Sequence, residues 1–465
     1  MRPLTHSGLI CLSALLAGCM VGPDYRQPEP PVPATWQAPL PHGGNAARLA
    51  EWWRQFDDPL VAELIGLAER SNPSLSQALA RIEQSRANAA SARSRLFPAT
   101  SLHAGERRSG GSGMTPSQTV ASASLDASWE IDLFGANRRG REAAKARLEG
   151  AQATWHDARV SLAAEVAQEY LGLRTCEALL TEAELDLDSR RNTEQLTARK
   201  VAAGFAATPD NALASASTAE AETRVLGQRN DCDISIKSLV ALTGTVETDL
   251  RARLAPHTGR IPSPASLGID ELPAQVISHR PDVVAAEREL AAASADIGGA
   301  EAARYPRLSL SGTIGPQFVR LDGAKQQASI WSFGPALDLP LFDAGLRAAN
   351  VDAARARYDE ALAGYKAKVR QAVREVEQSL VKLGRGVERA RASRQAADGY
   401  DSAFRAAEQR WQAGIGSQLE LEELRRLAIT ARSQHLAVLR ENVAAWIGLY
   451  RAVGGDWQPA TELPH

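Results

Sequence analysis

Aromatic residues are scarce in this chain: Phe, Trp and Tyr together make only 5% of 465 residues. That excludes a large aromatic core. A dominant charge is missing too, since 53 Lys and Arg face 55 Asp and Glu for a formal net charge of −2. Composition therefore carries no nucleic-acid footprint, and no nucleic-acid partner is expected. No Gly-x-Ser-x-Gly, Cys-x-x-Cys or P-loop is spelled anywhere, and no phosphate-binding lysine follows the turn-like Gly110-Gly111-Ser112-Gly113. The histidines, His6, His42, His103, His156, His257, His279, His435 and His465, have no metal-ligand spacing. Single titratable residues on helices are mostly solvated, so no catalysis, metal or cofactor is expected.

What the chain does have is a second copy of itself. The stretch from Asn72 to Leu102 falls without a gap on Arg280 to Leu310: Pro73 meets Pro281, Ala87 meets Ala295, Pro98 meets Pro306 and Leu102 meets Leu310. The offset is 208 residues (281 − 73), and by Gly204 against Gly414 and Gly244 against Gly454 it has drifted only to 210 (414 − 204). A repeat of about 200 residues is a whole structural half rather than a solenoid motif.

Each copy reads as an Ala-rich helix, a proline step, two strand-like runs, one very long helix, a glycine turn and a returning helix. In the second copy the first helix opens at Pro281 and stops before Pro306. Period two then takes over, with Leu308, Leu310, Ile314 and Phe318 on one face and Ser309, Ser311 and Thr313 on the other. The partner strand puts Trp331, Phe333, Leu337 and Leu339 opposite Ser332, Gly334 and Asp338. From about Gly345 to Ala413 an apolar stripe through Leu362, Tyr365, Val369, Val376 and Leu383 predicts a helix on the order of 100 Å long. The returning helix, about Ser417 to Val453, is half as long and leaves room for the Pro281 helix to stack on its end.

The N-terminus reads as a lipoprotein signal over 1–18: Arg2, an apolar run Leu9 to Leu16 too short to span a bilayer, then Leu16-Ala17-Gly18-Cys19. Cys19 would be diacylated and become the mature N-terminus, with enough acyl chains to anchor firmly. Met20 rather than Asp after it favours the outer membrane. Residues 19–58 form a proline-rich arm ending in Trp52-Trp53 and Phe56, aromatics that dock it. The first repeat spans 59–250 with its hairpin at about 97–132, and a connector without periodicity runs over 251–268. The second repeat spans 269–455 with its hairpin at about 305–342, and 456–465 is a tail. The first hairpin, around Leu102 to Glu106 and Val120 to Ile131, has the weaker alternation.

Two of the four cysteines remain after processing, Cys176 and Cys232, and their midpoint is the turn glycine Gly204. In an antiparallel helix pair they sit level, either as a disulfide suited to an oxidising compartment or as two buried thiols. No cysteine pair stands in the second copy. Four strands can neither close nor bury an apolar face alone, since closure takes about eight. Strands of about ten residues, apolar on one face and Ser/Thr/Gly-rich on the other, fit an outer-membrane barrel made by association.

The lipobox followed by Met20-Val21-Gly22-Pro23-Asp24-Tyr25, the Trp52-Trp53 to Pro59 segment, the duplicated proline steps and the two long-helix turns resemble the TolC-like outer-membrane efflux channels, within them the lipoprotein (NodT-type) branch. The resemblance implies an α+β membrane protein: a homotrimer sharing a twelve-stranded transmembrane β-barrel that continues into a long periplasmic α-helical barrel, with two structural repeats per chain. It implies a passive exit duct for small toxic compounds or drugs, docked through a periplasmic adaptor (membrane fusion) protein onto an inner-membrane RND-type pump. The turns at Gly204 and Gly414 would be the adaptor-contact tips. Glu420 and Glu423 match the family's acidic pair past the second tip, with Glu replacing Asp, and Asp210 stands at the equivalent of Glu420 in the first copy. Three chains would set these charges in a ring, a periplasmic gate that favours cations. The alternative for Glu420, Glu422 and Glu423 is a solvated helix N-terminus. Competing classes are a lipid-anchored coiled-coil envelope scaffold and the channel of a protein-secretion system.

Overall fold

The computed structural model describes residues 20–28, 52–111, 117–264, 274–321 and 324–455. The signal segment, Cys19, most of the proline-rich arm, part of the Gly110–Gly113 turn, the end of the connector and the tail lie outside the described residues. The first half runs α1 (Leu60–Ser71), α2 (Pro73–Ser94), β1 (Ala99–Ser109), β2 (Gln118–Ile131), α3 (Ala136–Ala202) and α4 (Thr208–Thr243). After α5 (Glu247–Leu254) and two 3₁₀ turns come α6 (Pro281–Ala302), β3 (Arg307–Leu321), β4 (Ala324–Asp338), α7 (Leu346–Gln412) and α8 (Gln418–Ala452). The element lengths recur: α2 and α6 each have 22 residues, and α3 and α7 each have 67.

Two details depart from the sequence reading. The connector is helical at its start, because α5 carries Glu247 and Asp249 in its first turn and Arg251 and Arg253 in its last, the polarity that favours a helix dipole. An Arg251–Glu247 pair at 3.0 Å adds to it, a charge pattern that a search for apolar periodicity does not register. On the second hairpin, Leu339 lies beyond the end of β4 at Asp338.

The chain divides into two compact units. One contains Leu79–Thr154 and Val284–Lys368 together with the N-terminal residues up to Pro30. Its sheet has the order β1-β2-β3-β4, every neighbouring pair antiparallel. Register carries each face straight across: Leu102, Leu125, Ile314 and Trp331 form one row, and all four are half or more exposed. One residue along, Ser101, Asp126, Thr313 and Ser332 form a polar row on the opposite face. Below the sheet the helices approach through small residues, with Ala143, Ala146, Ala291, Ala292 and Ala295 buried together.

The other unit contains Trp155–Val283 and Val369–His465, with α1. Its core gathers Leu64, Tyr170, Leu171, Leu239, Leu380 and Trp446. Trp52 stacks on Trp446 with ring centroids 4.5 Å apart, and Trp53 packs on Tyr450 at 4.6 Å, so the end of the arm is seated on α8. Asp58, fully buried, accepts hydrogen bonds from the Leu60 N–H at 3.0 Å, starting α1, and from the Tyr170 hydroxyl. Arg280, just before α6, donates to the Ala452 carbonyl at 2.7 Å and satisfies the C-terminal end of α8.

Candidate functional site

The two long-helix turns close by the same bonds. Gly204 (φ 77°) and Gly414 (φ 81°) take the left-handed conformation in which a Cβ is disfavoured. The Phe205 N–H then reaches back to the Lys200 carbonyl at 2.7 Å, and the Ile415 N–H to the Arg410 carbonyl at 3.0 Å. The turns are neighbours: Gln418 Nε2 donates to the Asp210 carbonyl at 3.3 Å, and Lys200 Nζ lies 4.3 Å from the Trp411 ring centroid. Both leave an apolar side chain outside, Phe205 at 84% exposure and Ile415 at 80%, with Leu419 beside them.

Each acidic residue expected at the mouth has a local partner within the chain. The Asp210 carboxylate accepts from the Ala207 N–H at 3.1 Å and caps its own helix. Glu420 pairs with Arg410, tying α8 to the end of α7. Glu423 pairs with Arg426 at 2.9 Å on an open face. The residue between them, Glu422, which the sequence placed only in a solvated helix N-terminus, is largely withdrawn from solvent. Glu422 turns inward, where it accepts from Arg190 Nη1 at 2.9 Å, Arg425 Nη1 at 2.5 Å and Ser217 Oγ at 3.1 Å. Arg190 is held by Asp186 at 2.9 Å, and Asp186 also accepts from Arg224 of α4 at 2.9 Å. Arg425, 1% exposed, also donates to Thr193 Oγ1 at 2.8 Å. Burial pushes its guanidinium down from the usual arginine range, while Glu422 works against that shift.

This network joins α3, α4 and α8 through buried charge. Its trace in the sequence is a polar stripe at helix spacing, Asp186, Arg190, Thr193 and Thr197, each under a tenth exposed. On α8 the matching signal is Leu421, Arg425 and Ala428, an apolar stripe with one arginine in it.

Further along the helix pairs sit two cross-ties. Cys176 and Cys232 are joined by a disulfide between α3 and α4, their Cα atoms 5.5 Å apart. Shifted by the repeat offset of 210, those positions become Gly386 and Asn442 (176 + 210, 232 + 210), and Asn442 Nδ2 donates to the Gly386 carbonyl at 2.9 Å. The same level is bridged covalently in one pair and by a side-chain hydrogen bond in the other. Cys176→Ser with Cys232→Ser is expected to cost about 4 kcal/mol, because the bond closes a loop 56 residues long. Thermal unfolding with and without reductant checks it: reductant should lower the native midpoint and leave the variant's unchanged.

Residues 20–28 form a strap clamped onto the first unit. The Val21 N–H donates to the Phe134 carbonyl at 3.2 Å. Arg139, 3% exposed, reaches the Val21 and Gly22 carbonyls at 3.3 Å and the Asp24 carboxylate at 2.8 Å. Gly22 (φ 86°) lies against Gly298 so closely that a Cβ would overlap the Gly298 Cα. The Tyr25 hydroxyl donates to buried Glu287, and burial together with that carboxylate drives its pKa far above the usual phenol range. Met20, next to Cys19, thus lies against Gly135, where β2 hands over to α3. Cys19 itself lies outside the described residues. Among the described residues no group of three or more His, Cys, Asp or Glu is placed to hold a metal, and no helix is long and apolar enough to cross a membrane.

A family model described as outer membrane efflux protein matches residues 64–245 and 272–455. The chain is 30% identical over 460 residues to Nodulation protein T of Rhizobium leguminosarum bv. trifolii, with 97% of each chain covered. It is also 30% identical over 479 residues to the toluene efflux pump outer membrane protein TtgF of Pseudomonas putida, covering 99% of this chain and 98% of that one. Among solved structures the outer-membrane channel OprN aligns with a TM-score of 0.85 at 29% identity, over 95% of this chain and 100% of that one.

Proposed function

The chain belongs to the outer membrane efflux protein family, and from that premise we propose that three copies share one transmembrane barrel and serve as the passive exit duct of a tripartite pump. It is an outer-membrane efflux channel. The observation that carries the trimer is the sheet. Its four strands leave β1 and β4 with open edges, and one face is apolar and exposed while the other is lined by Ser, Thr and Asp. Edge-to-edge pairing of three such sheets makes a twelve-stranded barrel, lipid outside and water within. A lipid-tethered scaffold would leave Leu102, Trp331 and Phe333, each 70% exposed or more, facing water.

The helical remainder of each repeat then forms the periplasmic tunnel, and Cys19 is the diacylated residue, its neighbour Met20 lying at the base of the first hairpin. The turns at Gly204 and Gly414 present Phe205 and Ile415 to a periplasmic adaptor, which links the duct to an inner-membrane pump of the RND type. The cargo is small toxic compounds or drugs. Asp210, Glu420 and Glu423 ring the periplasmic mouth, where three copies of each favour cations. Light scattering and negative-stain imaging of the full-length, detergent-extracted protein test the assembly: a trimeric cylinder is expected, and a monomer would overturn the shared barrel.

At the mouth, Glu420→Gln with Glu423→Gln is expected to raise the conductance of the isolated channel and weaken its cation preference. Because Glu420 also pairs with Arg410, Glu423→Gln alone separates the loss of charge from the loss of an α7–α8 tie. Planar-bilayer recordings that show neither change would move the constriction away from these residues.

A further inference from the structure

The apolar face of the sheet is interrupted at one end only. Along β3 it runs from Leu308 to Phe318, ten residue steps and about 34 Å of strand, which a tilt near 45° reduces to about 25 Å, the height of an outer-membrane apolar band. One row further toward the hairpin turns, the register aligns Arg108, Thr119, Arg320 and Lys325 across all four strands. The three cations are exposed and stand on the same face as Leu102, Ile314 and Trp331. Among the described residues none of them has an ion-pair partner. On this face Glu106 stands one row nearer the band, level with Phe318, so three cations meet one carboxylate there among the described residues, an excess of two positive charges per chain.

Lipid-facing arginine and lysine weaken a barrel unless they stand at an interface and meet anionic groups there. The row stands just beyond the apolar band, at headgroup depth, on the strand ends remote from the helices. With the helices in the periplasm those ends face outward. We infer that Arg108, Arg320 and Lys325 bind the phosphate groups of the phosphorylated glycolipid in the outer leaflet. The inference rests on the barrel reading above. Arg107 projects from the opposite, luminal face and takes no part.

The test uses the full-length trimer in mild detergent. Binding of diphosphorylated lipid A, of the same glycolipid after phosphatase treatment, and of phosphatidylglycerol is measured by native mass spectrometry and by the shift in thermal midpoint. Wild-type protein is expected to prefer the diphosphorylated form. Affinity should fall about fivefold for each cation replaced and more than about a hundredfold for Arg108→Gln, Arg320→Gln and Lys325→Gln together. Arg107→Gln should bind as wild type. If the triple variant fails to assemble, the three single variants decide by their fivefold losses. Equal binding of the dephosphorylated glycolipid or of phosphatidylglycerol, or an equal loss in Arg107→Gln, would overturn the assignment while leaving a trimer intact. A protein that never forms a trimer would overturn the barrel reading instead.

Discussion

Replacing Glu422 by Ala is expected to destabilise the helical unit by about 3 kcal/mol, and to raise the channel's conductance at the same time. The carboxylate is the common acceptor of Arg190, Arg425 and Ser217. Without it two buried guanidinium groups face each other with Asp186 and the less direct Glu408 left to compensate them, and breaking a buried pair typically costs about 3–5 kcal/mol. Glu422 keeps 16% of its side chain exposed, which sets the low end of that range. The bonds it makes are among those that hold α8 onto α3 and α4, so the second helix pair would be loosened close to its turn. Glu422→Gln retains an acceptor but loses the charge and should fall between. Thermal unfolding and single-channel recording read the two effects separately. A variant as stable and as conductive as wild type would show that the network contributes neither.

The second large effect is expected at Trp446. It is 1% exposed, stacks on Trp52 and lies in the main cluster of its unit. Trp446→Ala should cost about 4 kcal/mol from lost burial and the cavity left behind. Its indole N–H is buried with no hydrogen-bond partner among the described residues, so Trp446→Phe removes an unsatisfied donor along with part of the ring and should cost much less. Because Trp52 and Trp446 touch, the double alanine variant should cost less than the sum of the singles. Denaturation midpoints of the four proteins check both points. Strict additivity would mean that the end of the arm is not anchored through this stack.

How much of this was legible beforehand depended on whether the cause was local. Pro73 and Pro281 start helices and Gly204 and Gly414 end them by effects reaching only a few residues, and those marks stand in the sequence at the repeat offset. The second hairpin was readable because Leu308, Leu310 and Ile314 alternate with serine and threonine. The first was harder, since Glu106, Arg107 and Arg108 break the alternation although β1 continues to Ser109. Glu422 could not be told from Glu420 and Glu423, because one step around a helix decides between water and a buried arginine, and that arginine lies on an element 232 residues away. The strap was out of reach for the same reason. Asp24 and Arg139 meet across 115 residues, and neither carries a local sign of the other.

The unequal cross-ties have a mechanical consequence. A disulfide tolerates bending about its bonds but almost no lengthwise slip, so α3 and α4 behave as one strut with its register locked at Cys176 and Cys232. The Asn442 amide can leave the Gly386 carbonyl, take water and find it again, at a cost of about 1 kcal/mol. Shear compliance is therefore expected to be greater between α7 and α8, whose other ties, Arg389–Glu441 at 2.8 Å and Ser393–His435 at 3.0 Å, are likewise non-covalent.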